Sequence, residues 1–256
     1  MTAAKNFDLE HYIMHHVRNS NEWQLPFLAP IKLPPFISLH GFMMILGSLF
    51  LIYLFCFCYK RNQRFPRGIN NFLEIFVIFI RDEISIACLG KEDGLRMTPL
   101  FCTFFFFILG LNLMGLIPLF SSPTANVNVT GALAFITLSL MILGAIYKNG
   151  FIGFLKAFVP EGVPFPILFF LVPIEFIGMF IKAFALMIRL FANMFAGHIV
   201  ILCLLGLVAL LGAVALPTVI LAVFMFLLEI FVAFLQAYIF TLLSALFMGQ
   251  MYHPQH

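Results

Sequence analysis

Charge is what this chain has least of. Asp, Glu, Lys and Arg together make up 10% of its 256 residues, where a soluble domain carries about 25%. That shortage excludes an ordinary soluble enzyme, whose surface would need those groups. Cysteine is sparse too. The five (Cys56, Cys58, Cys88, Cys102 and Cys203) show no metal-ligand spacing beyond one Cys-x-Cys at a helix end, and they imply no disulfide framework. The opening stretch, MTAAKNFDLEHYIMHHVRNSNEW, lacks the apolar run of a signal peptide, so none is expected. A net charge of +3 says little by itself, its placement says more, and no nucleic-acid partner is expected. What is abundant is apolar: 63% hydrophobic residues, with 35 Phe suited to lipid-facing helix surfaces. This is the composition of an all-α polytopic membrane protein.

Taken in order, residues 1–36 form a polar, proline-punctuated segment with a short helix expected around Phe7 to Val17. His11, His15 and His16 share its face at helical spacing, but no acid or Cys completes a metal site, so a solvated face is the better reading. Residues 37–256 form a single membrane domain. Spans are expected at about 37–58, 99–118, 127–147, 167–205 and 217–250, since about 20 apolar residues cross a bilayer. Between the first two, residues 69–89 alternate apolar runs with Glu74, Arg81, Asp82 and Glu83, as an amphipathic helix on the membrane surface would. Lys60, Arg61, Arg64, Arg67, Arg81, Lys91, Arg96, Lys148 and Lys156 all fall on one side of these crossings, and the opposing loops carry no base. Five crossings then put the N-terminus outside and the C-terminus in the cytoplasm. The last two helices are too long to stand upright: 217–250 would reach about 50 Å across a core of about 30 Å. They are expected to be antiparallel and steeply tilted.

Polar residues inside these helices carry the functional question. Glu175, Lys182 and Arg189 are spaced seven apart, so each is turned only about 20° from the last. They form one line along one face. An arginine at mid-membrane costs about 3 kcal/mol or more, and a guanidinium does not escape by losing its proton. It needs water or a moving counter-charge. Asn193 lies one turn from Arg189 on the same face, while His198 lies nine residues on, about 180° round. On the last helix Glu229 and Gln236 are seven apart and share a face. The titratable His198 and Glu229 therefore read as one relay, with Arg189 a separate element facing something else. Intramembrane ionisable groups in such number mark an ion path.

RLFANMFAGH (189–198) followed by LEIFVAFLQAYIFTLL (228–243) resembles subunit a of the F-type ATP synthases, as do NLMGLIP and PTANVNVTGALA around the loop before the third span. The resemblance covers most of the chain from about residue 37 and none of the first 30 residues. It implies a non-catalytic, proton-translocating stator subunit with no cofactor and no metal. Its implied partners are a ring of c subunits, the peripheral-stalk b subunits, the other synthase subunits and the lipid bilayer. Arg189 resembles the family's essential arginine facing the ring, and Gln236 the glutamine near it. Asn193, His198 and Glu229 resemble the inlet half-channel from the outer side; Glu175 and Lys182 sit where the family lines the inner outlet. The His/Glu arrangement is that of mitochondrial-type subunits. Asn126 stands where a common bacterial pattern has Asp, leaving that inlet mouth without a fixed charge. A bacterial inner membrane is the implied location, a mitochondrial inner membrane the second.

Rival classes predict other features. A secondary ion transporter with an intramembrane proton relay, the main alternative, would show an internal repeat with paired broken helices, and no duplication is visible. A haem cytochrome would need paired axial His on spanning helices; besides His198 there is only His40, near a helix start. A plain anchor would have no use for five buried polar groups.

Overall fold

The fold is seen in a computed structural model, which describes residues 38–58, 68–117, 120, 122–159, 165–211 and 216–252, with the pairs Glu22–Trp23 and Ile31–Lys32. Those pairs form a two-residue antiparallel ladder, β1 against β2. The expected helix at 7–17, the three histidines and the basic cluster 60–67 lie outside the described residues.

The remaining regular elements of the described residues are helices. α1 is Leu39–Tyr53, continued by a wider π-type turn through Leu54–Cys58. α2 is Ile69–Phe79, running on through Ile80–Ile86, again π-type, and Ala87–Leu89. α3 is Lys91–Gly115, α4 Val127–Lys156, α5 Phe165–Leu211 and α6 Leu216–Tyr252. Among the described residues five segments are long and apolar enough to cross a membrane: Leu39–Cys56, Lys91–Gly115, Val127–Lys156, Ile167–Ile201 and Pro217–Tyr252. The chain is an all-α polytopic membrane protein.

The boundaries differ from the expected ones where a local signal misleads. α3 starts at Lys91 rather than 99, because Pro99 sits inside it; a proline removes one backbone donor and need not end a helix supported by packing. It stops at Gly115, three residues early. α4 runs past 147 to Lys156, but Gly150 (φ 71°, ψ 170°) breaks it into two helical stretches. That left-handed φ is one glycine adopts without a Cβ clash.

α2 buries Leu73, Ile80, Ile84 and Leu89. Its outward side is not uniformly polar: Phe72, Ile75, Ile78 and Phe79 are exposed, and the charges Asp82 and Glu83 follow toward Gly90. Burial pushes the Cys88 thiol up from its ordinary pKa.

The chain folds as two compact units. One comprises residues 1–51, 107–126 and 190–236, with Met43, Ile108, Leu111, Leu190, Met194 and Ala233 in its core. The other comprises 52–106, 127–189 and 237–256, built round Phe101, Met141, Met179, Leu186 and Phe240. In this second unit Phe76 stacks on Phe105 (centroids 5.6 Å apart) and Phe104 meets Phe240 edge-on (5.8 Å). Lys148 pairs with Asp93. The last turn of α6 is held tightly. Asn149 Nδ2 donates to the Met251 and Tyr252 carbonyls at 3.2 and 3.3 Å, and the Tyr252 hydroxyl donates to the Leu140 carbonyl at 3.5 Å. Gly144 faces Tyr252, and Gly249 the Cys88 carbonyl, so closely that a Cβ on either would overlap its neighbour.

Candidate functional site

α5 turns one stripe inward: Met179, Ala183, Leu186, Leu190 and Met194, spaced four, three, four and four residues apart, are all buried. Such spacing keeps a helix face apolar along its length. Polar side chains flank the stripe and reach across it. In the first unit Asn193 and His198 stand about 70° to either side of the line through Leu190, Met194 and Gly197, so both meet α6. Asn193 Nδ2 donates to Gln236 Oε1 at 2.7 Å, and His198 Nδ1 lies 3.5 Å from Glu229 Oε1. Residue numbers rise along α5 as they fall along α6, so the two helices are antiparallel here.

Glu229 and Gln236 are buried, 4% and 1% exposed. Between them Ala233 offers its carbonyl to Asn112 Nδ2 at 3.5 Å. Asn112 is wholly buried, though it entered the sequence argument only as part of a motif. Among the described residues three buried atoms of this column have no hydrogen-bond partner: Asn112 Oδ1, Glu229 Oε2 and Gln236 Nε2. Buried polar atoms of that kind are costly unless something polar meets them. Gly197 makes room for the acid. A Cβ there would lie 2.8 Å from Glu229 Oε1 and 3.0 Å from its Cδ.

The remaining predicted residues fall elsewhere. Asn126 follows the short 3₁₀ turn Pro123–Ala125 and donates its backbone N–H to the Pro123 carbonyl at 3.1 Å, beside the buried hydroxyls of Ser122 and Thr124, 3.3 Å apart. In the second unit Lys182 Nζ is 3.6 Å from Glu175 Oε1 and donates to Gln250 Oε1 at 3.1 Å. So the seven-residue spacing does bring acid and base together. Gln250 was missed, because a polar residue near a helix end gives no signal by itself. Arg189 is half-buried, and among the described residues no carboxylate pairs with it. Nor, among them, does any group of three or more His, Cys, Asp or Glu stand where it would hold a metal ion.

Comparison with known proteins fits this arrangement. A profile of the family described as ATP synthase A chain matches residues 41–249. The subunit a of the ATP synthase of Myxococcus xanthus is 46% identical over 220 residues, 83% of this chain and 72% of that protein. The chain belongs to the ATP synthase subunit a family. The subunit a of Chloroherpeton thalassium is 41% identical over 261 residues, covering 95% of this chain and 77% of its own length. That of Anaeromyxobacter dehalogenans strain 2CP-C is 47% identical over 215 residues, or 82% of this chain. The matched part spans only 56% of that relative's length. All the predicted polar residues, from Asn126 to Gln236, lie within the stretch that defines subunit a, and so does Asn112. His40 and Gln250 lie just outside it.

Proposed function

We propose that this chain is the proton-conducting stator subunit of a rotary ATP synthase. It supplies two half-channels that do not meet, and a barrier between them. The observation that carries this reading is Arg189, a cation in an apolar helix with no carboxylate partner among the described residues. Its counter-charge is then a carboxylate on a passing c subunit. The guanidinium repels hydronium, relays no proton and favours the ionised form of an acid beside it. An arriving ring carboxylate releases its proton toward the outlet, near Glu175 and Lys182. It takes another from the inlet, formed in this reading by Asn193, His198 and Glu229 with Asn126 at its mouth and Gln236 near the arginine, before returning to lipid. Each proton crossing the membrane potential releases about 2.3 kcal/mol per 100 mV, and the barrier couples that energy to rotation.

In this reading the subunit does no chemistry on ATP itself. It sits in a bacterial inner membrane, N-terminus outside, with α5 and α6 steeply tilted against the c ring, α2 at the cytoplasmic surface and the b subunits bracing it. The test is Arg189→Ala in the assembled complex, followed by ATP-driven proton pumping into membrane vesicles. Pumping should vanish while the subunit stays in the complex. Arg189→Lys should fail largely too, because a compact ammonium lacks the planar fork and loses its proton more readily when buried. Normal pumping by the Ala variant would reject the barrier role.

A further inference from the structure

His40 is a buried imidazole that the mechanism above does not use. It is 4% exposed, in the first turn of α1, inside a segment apolar enough to span a membrane. Helix packing fixes its level in the first unit. A Cβ on Gly47 would lie 3.0 Å from Leu111 Cδ2 and 3.8 Å from Met114 Cε, while Leu51 approaches Gly110 at 3.9 Å. α1 and α3 therefore run antiparallel, and Gly47 sits beside Asn112. Asn112 in turn bonds the Ala233 carbonyl, so Gly47, Asn112 and Ala233 share a level. His40 is seven residues from Gly47, about 10 Å toward the start of α1. Glu229 is four residues from Ala233, about 6 Å toward the start of α6. With the five long apolar segments crossing in turn, as the stator reading has them, the first and last begin on the same side. The order from that side is thus His40, Glu229, Asn112, Gln236.

We propose that His40 is a proton-collecting residue, the outermost titratable group that the apolar helices bring to the route through His198 and Glu229; the proposal rests on the stator reading above. A neutral imidazole accepts a proton on one nitrogen and gives one up from the other. Its level is that of the loop after α3, where the described residues bring hydroxyls and amides (Ser122, Thr124, Asn126) and no titratable group. The titratable groups on the other described elements of this unit are Glu22 of β1, Lys32 of β2, His198 and Cys203 of α5 and Glu229 of α6. Within the apolar helices of the unit, His40 is the one placed to load a proton ahead of the His198–Glu229 pair.

The complete complex, reconstituted in vesicles, tests this through proton-driven ATP synthesis measured against the pH on the outer side. His40→Gln keeps the size and polarity but cannot titrate; the rate should fall about tenfold. That is less than the hundredfold or more contributed by a proton donor in a chemical step, because His198 and Glu229 remain. His40→Asp should recover most of the rate with its pH profile displaced downward, since a carboxyl titrates below an imidazole. A Gln variant with the wild-type rate and profile, or an Asp variant with an undisplaced profile, overturns the proposal. So does failure of both variants to assemble, which would make His40 a packing residue. Arg189→Ala run alongside separates the two ideas. If it synthesises ATP normally, the stator reading falls; if it is inactive while His40→Gln is normal, only the role of His40 falls.

Discussion

Glu229 has one carboxylate oxygen 3.5 Å from the His198 ring, and the other has no hydrogen-bond partner among the described residues. The proposed relay treats the two side chains as one unit. Each single change, His198→Ala or Glu229→Ala, should slow proton entry markedly without making the membrane leaky. The exchange, His198→Glu with Glu229→His, keeps the chemistry and should recover activity relative to the worse single variant. Purely additive losses in vesicle pumping would mean that the two act independently. Gly197 supplies a steric test of the same site. Gly197→Ala should push the Glu229 carboxylate away from α5, and a displacement of about 1 Å can cost a hundredfold in rate; pumping should drop while the amount of assembled subunit stays the same. At this scale the sequence spoke clearly where polarity is out of place. Arg189, His198, Glu229 and Gln236 stand out against apolar neighbours. Asn112 did not, because its partner, the Ala233 carbonyl, lies 121 residues away and belongs to the backbone.

Helices were legible as lengths and imprecise as boundaries. The pattern of apolar residues finds the five long apolar segments of the described residues but starts the second at Pro99, whereas α3 begins eight residues earlier. The reason is tertiary: Ser85 Oγ donates to the Gly94 carbonyl at 2.5 Å, and Gly94 packs against the backbone of Ile86, which anchors the first turn of α3 on α2. The C-terminal end of α6 depends on a comparable clamp from α4. Final carbonyls of a helix have no partner within it, and Asn149 satisfies two of them. Asn149→Ala should therefore destabilise the detergent-purified subunit by about 1–2 kcal/mol, read as a lowered unfolding temperature. An unchanged temperature would show that water serves those carbonyls equally well.

For the whole molecule, length is the governing quantity. α6 has 37 residues, about 55 Å of helix, against a hydrocarbon core of about 30 Å. α5 is longer still, with 47. Both are apolar on their outward sides; Phe169, Phe170, Ile220, Phe224 and Phe231 are well exposed. If the pair lies steeply tilted, spin labels at Leu221, Leu228, Leu235 and Leu246 should change membrane depth by about 1 Å per residue, less than the helix rise of about 1.5 Å. Depths advancing by the full rise would mean an upright helix.

The clasp on the final turn of α6 also bears on how the protein is made. Its socket is Leu140, Gly144, Asn149 and the Cys88 carbonyl, all of which leave the ribosome well before Tyr252 does. The key is delivered last. A bulkier residue at Gly144 or Gly249 would let every crossing insert and then leave the finished chain unlatched. Quality-control proteases cut such loosely closed chains. Lesions of this kind should show as scarcity, with few copies in the membrane and normal turnover from each survivor, while lesions at Arg189 should show as plentiful copies that do not work.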